Sequence, residues 1–138
     1  MRPAQAIGIA IQILEALAIA RAAGRAHGEI SPETVLLAQG RVELLAPAQR
    51  GPGSSERDDV FSVACLLYEM LTRITPEPGA PPPSSRTPTV IGPRLETAVM
   101  RALDPAPDAR FARASEMLHE LRVCLVDALG TAARAHKD

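Results

Sequence analysis

Two short clusters in the sequence combine side chains that could carry out acid–base or metal chemistry. His27 and Glu29 stand two residues apart in a polar loop, and a histidine near a carboxylate can serve as a general acid/base pair. No nucleophile or metal-ligand pattern accompanies them. We therefore favour a histidine that packs into the core and whose ring nitrogens have hydrogen-bond partners there. Asp58 and Asp59 could bind a cation, but a helix cap and a residue that fixes a loop are the simpler roles.

The composition of the 138-residue chain excludes several other functions. It has 15 basic and 16 acidic residues, a net charge of −1, no Trp, one Tyr and two Phe. Nucleic-acid binding is not expected, because a basic stripe and stacking aromatic side chains are both lacking. Cys65 and Cys124 lie within apolar runs without metal-ligand spacing, so we expect buried free thiols, no metal and no other cofactor.

The apolar run up to Ala20 must be distinguished from a signal peptide or a membrane span. Gln12 and Glu15 fall in the middle of this run, and a charged residue at the centre of a span costs about 2.5–3.5 kcal/mol. A helix that other parts of the protein cover on most sides fits this pattern better. The sequence therefore predicts a cytoplasmic protein that is not associated with a membrane.

A mainly α-helical framework must position these candidate residues. Apolar side chains that recur every three to four residues predict four helices. Their bounds are Pro3 to about Ala23, Asp58 or Asp59 to about Thr72, Pro93 to Leu103, and about Ala112 to Ala133. Two β-like runs at about 34–37 and 42–45 lie on either side of Gly40 and predict one short β-hairpin that rests on the helices.

We expect a single domain over residues 1–134, with a Pro-rich connector at about 74–93. Seven of the 13 prolines lie in this connector. A solvated connector is the simpler interpretation, and a polyproline ligand for another domain is the alternative.

Several stretches, in order along the chain, resemble bacterial serine/threonine protein kinases. The stretch HGEISPETVLL, which begins at His27, resembles the catalytic-loop pattern HRDIKPENILL. ILEALAIARAAGRAH resembles the helix that leads into that loop, and GRVELLAPA resembles the strand before the Asp-Phe-Gly motif. ERDDVFSVACLLYEMLT resembles the central helix of the kinase C-lobe, and RALDPAPDARFARASEMLHEL its final helices. The resemblance covers roughly residues 5–125 and implies a C-lobe-like helical domain.

The resemblance also assigns a kinase role to individual positions, and several of these positions are substituted. Glu29 stands where the family has its catalytic Asp, and Ser31 stands at the loop lysine. Thr34 and Ala46 stand at the two metal-binding positions, although magnesium is usually held through carboxylates and phosphates. The carboxylate at position 29 is one methylene longer, and a displacement of about 1 Å can lower a rate about 100-fold.

Two segments of the family pattern have no counterpart in this sequence. No activation loop fits between Ala48 and Glu56, and nothing before Pro3 corresponds to the nucleotide-binding lobe. Together with the substituted positions, this predicts a degenerate pseudokinase that is not an enzyme.

Three further positions have structural roles in the family. The resemblance implies that His27 packs into the core and that Asp59 accepts hydrogen bonds from the loop backbone. It places Arg110 at the arginine that pairs with the Glu of the Ala-Pro-Glu motif. Because that motif has no counterpart here, we expect Glu56 or Asp58 to be the partner of Arg110.

Three functional hypotheses follow from these substitutions. The leading one is a protein-interaction or scaffold module that binds a protein partner or a second copy of itself through the face that the N-lobe would cover. The second is a regulatory decoy subunit that acts on an active kinase or on its substrates. The third is a residual nucleotide-binding phosphotransferase.

Overall fold

Four α-helices make up most of the computed structural model. It describes the backbone of residues 2–22, 35–38, 41–44, 56–77 and 79–136, and the side chains within 2–19, 56–77 and 79–130. The helices are α1 Pro3–Ala22, α2 Glu56–Thr72, α3 Pro93–Ala102 and α4 Ala114–His136, and short 3-10 turns cover Pro83–Arg86 and Pro107–Ala109. The predicted mainly α fold class is confirmed.

Helix α1 is apolar around most of its circumference. Pro3 occupies its first turn, where the missing N–H has no intrahelical partner to lose. The side chains that α1 buries include Ile7, Ile13, Leu14 and Leu17, none of which is more than 1% exposed. The helix packs against both α2 and α4, which explains why apolar residues are needed on more than one of its faces.

Helix α2 supplies the centre of the core. Val60, Val63, Leu67 and Tyr68 are fully buried, and α2 contacts each of the other three helices. The helix begins at Glu56, so the prediction that Asp58 or Asp59 caps it is wrong. Both aspartates lie inside the first turn, where negative charge is favourable beside the exposed N–H groups of the helix.

Between α1 and α2, two four-residue strands run antiparallel. They are β1 Val35–Ala38 and β2 Arg41–Leu44, with Val35 paired to Leu44 and Ala38 to Arg41. Strand β2 lies next to α1.

The Pro-rich stretch at about 74–93 is attached to the helices at several points. The Tyr68 hydroxyl donates to the Pro81 carbonyl at 2.7 Å, and the Thr72 hydroxyl accepts the Ile74 N–H at 3.1 Å. Further along, the Ser84 N–H donates to Glu96 Oε1 at 3.0 Å. Ala80 and Pro83 are buried. Part of this stretch therefore belongs to the packed body of the protein.

The two cysteines differ in exposure, and neither forms a disulfide. Cys124 is buried as predicted, and burial raises the pKa of its thiol to about 11. Cys65 is only half-buried, so the prediction of full burial is wrong for this residue. Burial is also the main cause that raises the pKa of the Cys65 thiol. Within the described ranges, no helix has the length and apolar character needed to cross a bilayer.

Candidate functional site

The start of α2 carries a buried polar cluster next to the part of the chain that holds the predicted catalytic positions. Asp59 is 2% exposed and Arg110 is 9% exposed. A buried charge is costly unless it is paired and hydrogen-bonded. Buried charged side chains therefore usually connect parts of the structure. Segment 23–55 ends directly before this cluster.

Arg110 ties the chain after α3 to the start of α2. Its Nε donates to the Asp104 carbonyl at 2.7 Å and its Nη2 to the Pro105 carbonyl at 3.4 Å. Its Nη1 donates to the Arg57 carbonyl, in the first turn of α2, at 3.5 Å. The planar guanidinium with its five N–H donors suits this role, since one side chain reaches three carbonyls on two segments.

Two side chains of α2 complete the surroundings of Arg110. Asp58 Oδ1 lies 3.6 Å from Arg110 Nη1, and the guanidinium carbon lies 4.4 Å from the centre of the Phe61 ring. The predicted pairing of Arg110 is thus confirmed for Asp58. Glu56 has another role, because its Oε1 accepts the N–H of Ala114, the first residue of α4, at 3.1 Å.

Arg57 also belongs to the cluster. Its Nη1 lies 4.0 Å from Asp108 Oδ1, in an exposed ion pair. Its Nε is buried and has no hydrogen-bond partner among the residues that the structure describes.

The structure brings together only some of the residues that the sequence singles out. Asp58 pairs with Arg110 at the start of α2, and Asp59 is buried in the same helical turn. The other sequence-predicted positions lie outside the described residues, and their roles stay predictions: His27, Glu29, Ser31, Thr34 and Ala46. Across the described ranges, no group of three or more His, Cys, Asp or Glu side chains is arranged to hold a metal ion.

Sequence reasoning missed the ring of Phe61 and the carbonyls of Asp104 and Pro105. A signal for Phe61 was available, because it follows Asp58 by three residues and therefore shares its helix face. The sequence contains no comparable pattern that predicts the contacts of the Asp104 and Pro105 carbonyls. Their positions depend on the turn between α3 and the 3-10 segment, where the Ala106 N–H donates to Asp104 Oδ1 at 2.9 Å.

Known proteins that are similar in sequence are bacterial kinases. The probable serine/threonine-protein kinase SCO3848 of Streptomyces coelicolor is 28% identical over 166 aligned positions, which cover 89% of this chain and 25% of that protein. The serine/threonine-protein kinase PknB of Mycolicibacterium smegmatis is 31% identical over 126 positions, covering 81% of this chain and 20% of that protein. The chain thus spans about a quarter or less of these relatives. No family model matches the chain.

The alignment with the Streptomyces protein shows a difference in length. It extends over 166 positions, which exceeds the 138 residues of this chain. The relative therefore contains residues, within the aligned region, that this chain lacks.

The fold agrees with the sequence comparison. The crystal structure of the Mycobacterium tuberculosis PknI kinase domain matches with a TM-score of 0.72 and 21% identity, over 90% of this chain and 56% of that domain. A C20A variant of the same domain matches with a TM-score of 0.73 over the same fractions. At this level of identity the match establishes the fold.

These comparisons contradict the prediction that the chain is not an enzyme, because the relatives are named serine/threonine-protein kinases. The prediction relied on four positions outside the described residues, on the short stretch between Ala48 and Glu56, and on the residue at which the sequence begins. None of these outweighs a match across most of the chain. The chain is therefore a relative of the bacterial serine/threonine protein kinases, and it has a fold like that of their C-lobe.

Proposed function

We propose that this chain is a protein-interaction module of serine/threonine-kinase signalling. Its recognition surface, which we call the loop face, consists of segment 23–55 and the exposed end of α1 around Ile19. In this proposal the C-lobe-like helices act as a rigid support, and the loop face contacts a partner protein.

The observation that carries the proposal is the packing of the two helices between which segment 23–55 lies in the sequence. The segment follows α1, whose buried side chains reach as far as Leu17, and it precedes α2, whose first turn is tied down by Arg110. A binding segment held at both ends by a packed scaffold loses less conformational freedom on binding than a free one does. Ile19, near the end of α1, is 73% exposed, as expected for an apolar contact at a partner site.

Site-specific photo-crosslinking in the native cell tests the loop face. A photoreactive residue at Ile19 should give an adduct with a distinct protein. The same residue at Thr97, which is exposed on α3, should not. Mass spectrometry of the adduct separates the versions of the proposal, since a serine/threonine kinase or its substrate indicates a regulator, and another protein indicates a scaffold. Identical adduct patterns at the two positions would contradict the proposal.

A second candidate function is phosphoryl transfer from ATP to a serine or threonine hydroxyl. The names of the relatives support it. In this candidate Glu29 orients the acceptor hydroxyl, as the resemblance implies for its position.

Nucleotide binding and transfer can be measured separately. Magnesium-ATP at 100 times its Kd would add about 2.7 kcal/mol to the free energy of unfolding, which a thermal melt detects easily. Transfer of a labelled γ-phosphoryl group to a protein acceptor should be lost in Glu29→Gln while the thermal shift is kept. An unchanged melting temperature and no labelled product would rule out this candidate for the isolated chain.

We also propose a cytoplasmic location. ATP and the proteins of kinase signalling are found there, and the two free thiols are compatible with a reducing compartment. Fractionation of the native cell with an antibody to this chain tests the location, and recovery in the membrane fraction would contradict it.

A further inference from the structure

An apolar groove lies at the end of the molecule where α1 begins. It has a volume of about 730 Å³ and runs between the first turns of α1 and α3 and the second half of α4. The apolar residues that line it include Ala4, Ile7, Leu95, Ala128 and Leu129. Helix α1 has 20 residues and is therefore about 30 Å long. The groove and the loop face consequently lie at opposite ends of this helix.

The rim of the groove exposes large apolar side chains to solvent. Val90 and Leu129 line the groove and are 81% and 54% exposed. Val126 lies one helical turn before Leu129 on the same face of α4 and is 69% exposed. Two exposed apolar side chains on the groove and a third one turn away on α4 form the kind of patch that usually marks a partner site.

The same rim carries one unpaired charge of each sign. Arg2 and Asp127 both line the groove, and neither makes an ion pair with any residue in the described ranges. Arg94 is already engaged, because its Nε donates to Glu120 Oε1 at 2.5 Å. Asp127 acts on Arg94 only as a nearby charge.

We infer that a second copy of this chain covers the groove in a two-fold symmetric dimer. Leu129 and Val126 of each copy would pack against the groove of the other, and Arg2 of each copy would pair with Asp127 of the other. In a two-fold interface each contact between different residues occurs twice, so a patch with one cation and one anion is complementary to itself. A purely acidic or purely basic partner would leave one of the two charges without a counterpart.

Charge exchange tests the paired contact. Arg2→Glu or Asp127→Arg should each raise the dimer Kd about tenfold, because two ion pairs become two like-charge contacts. An equimolar mixture of the two variants should associate like the wild type, since a heterodimer restores opposite charges at both contacts. The double variant should do so as well. Sedimentation velocity over a concentration series measures the association of the wild type, the two single variants, their mixture and the double variant.

Both substitutions should leave the fold intact. A carboxylate is favourable at the start of α1, and Asp127 is exposed, where a substitution usually changes the free energy of unfolding by less than about 0.5 kcal/mol. Equal melting temperatures at a concentration at which the wild type is monomeric would verify this. A wild-type chain that stays monomeric up to millimolar concentration, or a mixture and double variant that fail to recover association, would overturn the inference.

The apolar contact is tested with a matched pair of exposed positions. Leu129→Asp should abolish association, whereas Ile19→Asp, on the loop face, should leave the Kd unchanged. If Ile19→Asp abolished association and Leu129→Asp left the Kd unchanged, the dimer contact would lie on the loop face, and the inference about the groove would be overturned. This test is independent of the proposed function. Crosslinking at Ile19 to a different protein can succeed or fail whether or not the chain dimerises through the groove.

Discussion

At the scale of single residues, Arg110 joins two parts of the chain that are far apart in sequence. It donates to carbonyls at positions 57, 104 and 105, pairs with Asp58 and stacks over Phe61. A lysine has one point charge and cannot span these acceptors in one plane. The identity of this residue is therefore fixed by geometry as well as by charge.

Replacing Arg110 should destabilise the protein strongly. We expect Arg110→Ala to lower the free energy of unfolding by about 2–3 kcal/mol, because it removes three hydrogen bonds to part-buried carbonyls, the ion pair with Asp58 and the contact with the Phe61 ring. Arg110→Lys should recover less than half of this loss. Urea unfolding measures both. Arg113→Ala, at an exposed position nearby, serves as the control and should change the value by less than about 0.5 kcal/mol. Similar losses for the two alanine variants would contradict the assigned role.

The surface pair Glu77–Arg86 should make stability depend on pH. The hydrogen bond from Arg86, at 2.9 Å between Nη1 and Oε2, is the main cause that lowers the pKa of Glu77 from 4.5 to about 2. The unfolded chain therefore takes up this proton first as the pH falls. The contribution of the pair is complete above about pH 4.5 and is lost towards pH 2.

Urea unfolding at pH 7, 4 and 3 checks this dependence. Glu77→Gln should lose less stability on acidification than the wild type, and Arg86→Gln should behave in the same way because it removes the partner. Since the pair is exposed, the difference should shrink in high salt. If the free energy of unfolding falls by the same amount in all three proteins as the pH is lowered, the pair does not contribute to the pH dependence of stability.

At the scale of elements, the two ends of α2 are fixed by different means. Its start is held by Arg110, and Glu56 there also accepts the first N–H of α4. Arg73 follows the end of α2 and adopts the left-handed backbone conformation, with φ of 62°. Its N–H donates to the Glu69 carbonyl at 2.6 Å. This is the position after a helix at which glycine is usually found.

Glycine at position 73 should stabilise the protein. A side chain in the left-handed region costs about 1–2 kcal/mol, and the greater freedom of glycine in the unfolded chain offsets up to about 1 kcal/mol of this. We therefore expect Arg73→Gly to raise the free energy of unfolding by about 0.5 kcal/mol. Arg101→Gly, in the last turn of α3, is the control and should lower it by at least about 1 kcal/mol, because the substitution also removes the contact of the guanidinium with the Phe111 ring. Destabilisation by both substitutions would show that the side chain of Arg73 contributes more than its strain costs.

At the scale of the whole molecule, one core joins all four helices. It runs from Ile7 and Leu14 in α1, through Leu67 in α2 and Val99 in α3, to Leu121 in α4. The pairing of α1 with α4 brings together the two ends of the described chain. The domain should therefore unfold as a unit in spite of the stretch of prolines before α3.

Truncating Leu121 should test this single core. The side chain is fully buried, and Leu121→Ala should lower the free energy of unfolding by about 2–5 kcal/mol. Because α1 and α4 share the core, one cooperative transition should remain, with the same midpoint by circular dichroism and by exchange of α1 amides. Ile19→Ala, at an exposed position, should have little effect. Separate transitions for α1 and for the other helices would contradict a common core.

The amino-acid sequence was sufficient to predict the helical framework. Apolar periodicity placed α1 and α3 to within a residue, because a helix that is buried on one or more faces must repeat its apolar residues every three to four positions. The order of the motif-like stretches identified a kinase-like C-lobe, which the comparisons confirm. The sequence also pointed to Asp58 as a partner for Arg110.

The contacts between groups that are distant in the sequence are seen only in the three-dimensional structure. Arg110 reaches Arg57 across 53 residues, and the groove joins the start of α1 to α4 across more than 100 residues. Periodicity reports which face of an element is buried but does not report what covers it. The start of α2 was misplaced for a related reason, because Glu56 accepts its hydrogen bond from α4, and no local pattern records a partner 58 residues away.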